Sequence, residues 1–355
     1  MKKTILLATL AAAVLASCSN DEKVPVLSSQ TQELGVSVNV LSGVGTRALK
    51  QGTAFATSDA IGVFITGTGY TSKVAAYTFD GTTWVSPAAA ADKINLTNET
   101  ATVYAFYPST AVTNPVTLVG DGSDAIDATL AASEASFDGT NQMDYMYGTG
   151  AATSGAGTAG DPYVYGAWPF ASNAATDGTS PVSYDNKVDL YMHHALSKLS
   201  FVVNKAESYG GTGLITAIKI DSKAGTPATP LSGSFTIKVS DGTLTTSAVT
   251  VGPISFTDAT GVNANDYNAT ASTTVTAYGL VIPVAVADLT VTATVDGKEM
   301  TADLPALPNS ATAWAAGNNY TYTLLISGTE LEVTTVSIVD WNAVDVNSGA
   351  PVDMN

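Results

Sequence analysis

The fold class is clearest from residues Leu289–Leu304, which read LTVTATVDGKEMTADL. Apolar and polar residues alternate on both sides of Asp296-Gly297, which is typical of half-buried β-strands. An Asp-Gly pair readily adopts the positive φ angles of a tight turn, so the stretch predicts an antiparallel hairpin.

The same arrangement occurs at Val74–Val85 (VAAYTFDGTTWV) and Ser234–Val249 (SFTIKVSDGTLTTSAV), and it predicts two more hairpins. Further strands are predicted at Val36–Val40, which alternates, and at two apolar runs, Asp59–Ile65 and Val103–Pro108. No long segment has an apolar period of 3.6 residues, so we expect an all-β chain.

Composition limits both function and organisation. The 355 residues contain 14 Lys and Arg against 31 Asp and Glu, with a net charge of −17, so no basic stripe is available for nucleic acid. Only one cysteine is present, which excludes an internal disulfide. A chain of this length predicts two β-sandwich domains, which we place at residues 48–185 and 186–340.

The N-terminus predicts an exported lipoprotein. Lys2 and Lys3 precede the apolar run Ile5–Ala16, which is too short to span a bilayer. The following Ser17-Cys18 is similar to a bacterial lipobox, which predicts a signal peptide over residues 1–17 and a lipid anchor on Cys18. The alternative is an ordinary secretory signal that ends near Ser17. Loss of Lys2 and Lys3 changes the net charge from −17 to −19.

Five motifs together carry a family resemblance. The stretch His193–Val203, HHALSKLSFVV, resembles the signature of fimbrillin-like proteins, the type V pilins of Bacteroidetes. Four shorter matches follow the family's order: Asp59–Phe64, Tyr104–Pro108, Trp314–Tyr322 and Val339–Asn342. The resemblance implies two transthyretin-like β-sandwich domains, an exported lipoprotein precursor, and cleavage in a loop by an arginine-specific protease. It also implies that the first strand is then replaced by a strand from another subunit.

Arg47 is the only arginine, and it follows Gly43 and Gly45 in a loop that suits proteolysis. Cleavage between Arg47 and Ala48 removes residues 18–47 with the lipid anchor and the strand of Val36, Val38 and Val40. The alternative is an ordinary solvated arginine. Lys50 is a secondary site for a lysine-preferring enzyme.

The C-terminal part is the candidate donor strand. Its apolar residues are Val336, Ile338, Trp341, Val344 and Val346, and residues 341–355 form an extension past the second domain. The alternative is that residues 331–346 are the last strand of their own sandwich, ahead of a frayed tail. A mixed outcome, with the first half internal and the last part donated, is our preferred interpretation.

Catalysis is not expected. His193 and His194 are neighbours on a strand and point to opposite faces, so they cannot ligate one metal together. The sequence contains no GxSxG, HExxH or phosphate-binding glycine loop, and it implies no cofactor. Residues 121–127 are acidic, but their spacing favours a solvated turn over a calcium loop.

The sequence therefore predicts a shaft subunit of a cell-surface fimbria. Its partners are other copies or related subunits, the protease, and the outer membrane before cleavage. One alternative is a lipid-anchored protein that binds glycans or host proteins, for which Trp84, Trp168 and Tyr163–Tyr165 form a candidate aromatic platform. Another is a tip or anchor subunit of the same fibre.

Overall fold

A computed structural model describes residues 32–40, 55–67, 70–71, 73–96, 102–111, 124–150, 187–246, 252–267 and 273–340. In these ranges the chain is nearly all β, as predicted. The helices described there are short 3-10 turns at Ala90–Asp92, Ser109–Ala111 and Pro308–Ser310. Among the described residues, none of the helices has the length and apolar character needed to cross a bilayer.

The strands of the first part of the chain are β1 (Gln32–Glu33), β2 (Gly35–Val40), β3 (Ala60–Thr66), β4 (Val74–Phe79), β5 (Trp84–Val85), β6 (Asn95–Leu96), β7 (Thr102–Tyr107), β8 (Ala125–Leu130), β9 (Ser133–Glu134), β10 (Met146–Gly150) and β11 (Lys187–His194).

The strands of the second part are β12 (Ser197–Lys205), β13 (Leu214–Ser222), β14 (Gly233–Lys238), β15 (Leu244–Thr246), β16 (Ile254–Asn263), β17 (Asn265–Asp266), β18 (Ala277–Val281), β19 (Leu289–Val295), β20 (Lys298–Asp303), β21 (Asn318–Ser327) and β22 (Glu330–Asp340).

All three predicted hairpins form. Strands β4 and β5, β14 and β15, and β19 and β20 pair antiparallel around their Asp-Gly turns. At the last turn Asp296 has φ 47° and Gly297 has φ 75°, in the left-handed region that such a turn requires. The predictions from local turn chemistry are therefore confirmed.

A seven-stranded sheet contains most of the first part, in the order β2-β11-β10-β7-β3-β4-β5. The buried apolar side chains of the described residues form two hydrophobic clusters, a larger and a smaller one. The two faces of this sheet pack on different clusters: Ile61 and Val63 of β3 lie in the smaller cluster, and Phe64 lies in the larger one. Burial on both faces explains why β3 and β7 read as continuous apolar runs instead of alternating.

Two five-stranded sheets bury their apolar faces in the larger cluster. One has the order β17-β12-β21-β22 with β18 also on β12, and the other is β20-β19-β13-β16-β9. Phe201 of the first sheet and Phe256 of the second lie 6.1 Å apart between ring centroids. The third sheet in this part, β15-β14-β8, adds Phe235 and Ile126 to the same core.

The motif residues Trp314, Tyr320 and Tyr322 are part of this core. The Trp314 Nε1–H donates to the Tyr322 hydroxyl at 2.9 Å, and the Ala315 N–H donates to the Tyr320 hydroxyl at 2.7 Å. Burial raises the pKa of Tyr322, so its hydroxyl stays protonated. These residues stabilise the fold and are not exposed for binding.

Some strand pairs join segments on both sides of residue 185. Strand β11 follows that position in sequence but lies in the seven-stranded sheet, and β8, which precedes it, pairs with β14. The larger cluster also includes Tyr104 and Phe137 from the first part. The division into domains at residues 48–185 and 186–340 stays a prediction.

Candidate functional site

The strand predicted to be removable is β2, and it lies at an edge of the seven-stranded sheet. It pairs in parallel with β11 through six residue pairs, from Gly35 and Lys187 to Val40 and Met192. Because only one neighbour holds β2 in this sheet, its removal exposes the backbone edge of β11 without breaking any other pairing of the sheet.

Strand β2 also contributes to the smaller hydrophobic cluster. Val36 is buried opposite Val188, and Val38 packs half-buried opposite Leu190. Val40 is in register with Met192. The apolar alternation of the sequence therefore corresponds to a row of inward-facing side chains on β11.

Leu34, directly before β2, is the most deeply buried side chain of this segment at 1% exposure. Its backbone N–H donates to the Ile94 carbonyl at 2.9 Å. Its carbonyl accepts a hydrogen bond of 2.6 Å from the buried Tyr77 hydroxyl. Burial raises the pKa of that hydroxyl, so it remains a donor at neutral pH. Leu34 is thus fixed by both its side chain and its backbone.

An ion pair fixes the residue before Leu34. The Lys93 ammonium lies 2.7 Å from Glu33 Oε2, and the two side chains are 28% and 34% exposed. Hydrogen bonds from Lys93 and Ser86 lower the pKa of Glu33. Glu33 also pairs through its backbone with Asn95, since β1 is antiparallel to β6.

A pocket of about 250 Å³ opens beside this segment. Its lining residues are Glu33, Leu34, Gly35, Tyr77, Trp84 and Ser86. Trp84 also packs edge-on against Phe55 at 4.8 Å between ring centroids. Trp84 therefore takes part in packing, and the other aromatic residues of the predicted platform, Trp168 and Tyr163–Tyr165, lie outside the described residues.

Three other predicted site residues, Cys18, Arg47 and Ala48, also lie outside the described residues. Their assignments stay predictions. Trp341, Val344 and Val346 of the candidate donor strand lie outside as well.

The first half of the candidate donor segment is an internal strand. Val336 and Ile338 lie in β22, which pairs antiparallel with β21 through ten residue pairs. Both side chains are partly buried against the larger cluster. The described part of the chain ends at Asp340, where β22 ends.

The two histidines occupy different environments. His194 is buried, with its Nδ1 2.9 Å from Asp144 Oδ2, whereas the His193 ring stacks on Tyr147 across β10 and β11. Burial lowers the pKa of His193. Among the described residues, no group of three or more His, Cys, Asp or Glu side chains is arranged to hold a metal. Asp124 is buried at 2% exposure, so the predicted solvated turn is wrong at this residue.

Sequence reasoning missed Glu33, Leu34, Tyr77 and Lys93. Leu34 was detectable, because it continues the alternation of Val36 and Val38 by one step towards the N-terminus. The contacts of Tyr77 and Lys93 join positions 43 and 60 residues apart, and no local pattern signals them.

Comparison with solved structures supports this all-β arrangement. A candidate cell adhesion protein from Bacteroides ovatus is 16% identical, with a TM-score of 0.54 over 88% of this chain and 98% of that one. A second candidate cell adhesion protein, from Bacteroides uniformis, is 19% identical, with a TM-score of 0.52 over 88% of this chain and 98% of that one. At these identities the likeness concerns the fold alone. No curated protein matches the chain.

A family model matches part of the chain. Residues 170–341 match the model described as fimbrillin-like, and this range includes the His193–Val203 signature and the Trp314–Tyr322 motif. The match supports the role of a fimbrial subunit at the cell surface and favours a structural protein over an enzyme. Over residues 170–341, just under half of its length, this chain is similar to the fimbrillin-like family.

Proposed function

We propose that this protein is a shaft subunit of a cell-surface fimbria that assembles by strand exchange after cleavage at Arg47. The precursor is anchored in the outer membrane through Cys18, and the cleaved chain joins an extracellular fimbria that supports adhesion. A strand from a second copy, or from a related subunit, replaces the strand that cleavage releases.

The observation that carries this proposal is the position of β2. It is an edge strand, it pairs with β11 alone in its sheet, and it supplies buried side chains to the smaller cluster. A cut after Arg47 separates β1 and β2 from every other described strand, because all of these begin at Ala60 or later. One scission therefore converts this segment from part of the chain into a replaceable ligand.

Once β2 has left, its position beside β11 is an open groove. Filling this groove with another strand is more favourable than leaving it empty. Burial of Leu34, Val36 and half-buried Val38 contributes about 1.5–3 kcal/mol per fully buried side chain. An open groove also leaves the β11 edge unpaired, which makes it a template for another strand. Strand addition restores both the backbone hydrogen bonds and the apolar contacts.

The donor is proposed to lie in residues 341–355. Val336 and Ile338 are already engaged with β21 and the larger cluster, so donating them would require opening an internal strand pair. The 15 residues after Asp340 carry Trp341, Val344 and Val346, which supply the apolar side chains that the groove needs.

The test is to treat the purified full chain with an arginine-specific protease. We expect a new N-terminus at Ala48 and a ladder of multimers that resist SDS. Arg47→Ala should abolish both, whereas Lys50→Ala in the same loop should leave both intact. A clipped chain that stays monomeric would contradict assembly and favour the lipid-anchored binding protein instead.

A further inference from the structure

We propose that a pocket beside the end of β12 binds a neutral sugar, which stacks on Tyr267 and donates hydrogen bonds to Glu207 and Asp266. The inference goes beyond the proposed function, because the residues of this pocket lie outside the seven-stranded sheet and take no part in strand exchange. A fimbria built from such subunits carries one carbohydrate site on every copy.

The pocket lies between two segments that the backbone holds together. Its volume is about 200 Å³, and its lining residues are Lys205, Ala206, Glu207, Tyr209, Asp266 and Tyr267. Strand β17 is parallel to β12, with Lys205 in register with Asp266. The Tyr267 N–H extends this pairing by donating to the Lys205 carbonyl at 3.0 Å. The two sides of the pocket therefore belong to one sheet.

A hydrogen-bond network fixes the turn that follows β12. The Tyr209 hydroxyl donates to Asp296 Oδ2 at 2.7 Å. The same carboxylate accepts from the Gly213 and Leu214 N–H groups, each at 3.0 Å. The Tyr209 N–H donates to the Ala206 carbonyl at 3.0 Å. The wall formed by Tyr209 is therefore in place before a ligand arrives, which reduces the entropy cost of binding.

The pocket also contains polar groups that are available to a ligand. Tyr267 is 39% exposed, and Glu207 is exposed as well. Within the described ranges, neither the Tyr267 hydroxyl nor the Glu207 carboxylate has a hydrogen bond or an ion pair. The Lys205 ammonium lies 3.2 Å from Asp266 Oδ1, and the Asp266 side chain is 69% exposed, so most of this carboxylate is open to solvent.

These groups match the hydrogen-bonding pattern of neighbouring hydroxyls on a sugar ring. A hydroxyl both donates and accepts. The ionised carboxylates of Glu207 and Asp266 only accept, whereas the Lys205 ammonium only donates, so two neighbouring hydroxyls use both kinds of group at once. The exposed Tyr267 ring offers an apolar surface to the C–H face of the sugar, and its hydroxyl supplies a polar edge.

Charge and size narrow the class of ligand. The two carboxylates of the pocket and the net charge of −17 disfavour an anion. The Lys205 ammonium beside Asp266 opposes a cation. A volume of about 200 Å³ is below the roughly 300–1,000 Å³ of pockets for drug-sized ligands, so the space suits a single ring. A neutral terminal sugar meets all of these conditions.

The test is an NMR titration of the full, uncleaved chain with methyl glycosides. The neutral probes are those of glucose, galactose, mannose and N-acetylglucosamine, and the anionic probe is that of N-acetylneuraminic acid. We expect at least one neutral glycoside to bind with a Kd of about 1–10 mM, and more tightly than the anionic one. Failure of all four neutral probes to bind at about 50 mM, or tighter binding of the anionic probe, would refute the site.

Point variants locate the binding in this pocket. Tyr267→Ala should raise the Kd at least about tenfold, whereas Tyr267→Phe keeps the ring and should stay within about threefold of wild type. Glu207→Gln should raise it at least about fivefold, because an amide has one accepting oxygen in place of two. Asp288→Asn is the matched control: this exposed carboxylate precedes β19, at the end of the strand far from Asp296, and its loss should leave the Kd unchanged.

The variants also define what contradicts the inference. If Tyr267→Ala and Glu207→Gln bind the sugar as tightly as wild type, the sugar binds elsewhere and the site is wrong. If Tyr267→Phe loses as much affinity as Tyr267→Ala, stacking on the ring is wrong. None of these outcomes depends on cleavage at Arg47, so the proposed function is judged separately by the formation of multimers.

Discussion

Replacing Leu34 with alanine should loosen β2 in the precursor. The side chain is 1% exposed and packs in the smaller cluster, so its truncation removes buried contacts and leaves a cavity. The hydrogen bonds of Leu34 to Ile94 and Tyr77 involve only its backbone and remain available. A cost of about 2–4 kcal/mol is therefore expected from the side chain alone.

The assay is hydrogen exchange of the backbone amides of β2 and β11. At about 1.4 kcal/mol per factor of ten, the expected loss raises the opening-limited exchange of these amides by roughly 30- to 700-fold, up to the limit set by complete opening of the strand. Leu331→Ala removes a buried leucine at the start of β22, in another sheet, and should leave exchange in β2 unaffected.

Two outcomes would refute this reasoning. An increase of less than about threefold in the exchange rate of the β2 amides would mean that the Leu34 side chain does not hold this segment in place. An equal increase in β2 exchange in the Leu331→Ala control would mean that the effect does not arise from the contacts of Leu34.

Two further predictions concern the rest of the fold. Gly62→Ala should lower the free energy of unfolding, measured by chemical denaturation, by about 1–3 kcal/mol, because an added Cβ would overlap the buried Phe106 ring. Gly252→Ala is the control, and it should be nearly neutral because the space around Gly252 is open. Hydrogen bonds from the Thr212 hydroxyl, the Gly213 N–H and Tyr209 lower the pKa of Asp296 from its ordinary value of 3.8. The ionised Asp296 carboxylate therefore stabilises the fold fully above pH 3.8, and this stabilisation is lost as the pH falls through the lower pKa of the folded state. Asp296→Asn should therefore lower the Tm at pH 7 more than at pH 3, and an equal decrease at both pH values would contradict this assignment.

The elements that the sequence predicted well are those defined by local chemistry. The Asp-Gly turns fixed three hairpins, because both partners lie within a few residues of each turn. The alternation of Val36 and Val38 likewise predicted β2 and its inward-facing side chains. Only the side-chain period of one strand is needed for such inferences.

The sequence could not predict which distant strands pair. Strand β2 pairs with β11, about 150 residues later in the chain, and β8 pairs with β14 more than 100 residues away. Periodicity identifies the buried face of each strand but not its neighbour, because any apolar face satisfies the same pattern. The buried pair of His194 and Asp144, 50 residues apart, was missed for the same reason.

Under the proposed mechanism, the cut at Arg47 changes the molecularity of β2 binding and not its contacts. Before cleavage, the chain holds β2 beside its groove at a high effective concentration, so any opening is followed by rapid return of the same strand. After cleavage, the ladder with β11, the burial of Leu34 and the Glu33–Lys93 pair still hold the segment, but a dissociated segment can diffuse away. A competing strand succeeds only if it occupies the groove as well as the released one. Because apolar alternation is common in β-proteins, burial alone discriminates poorly among competing strands.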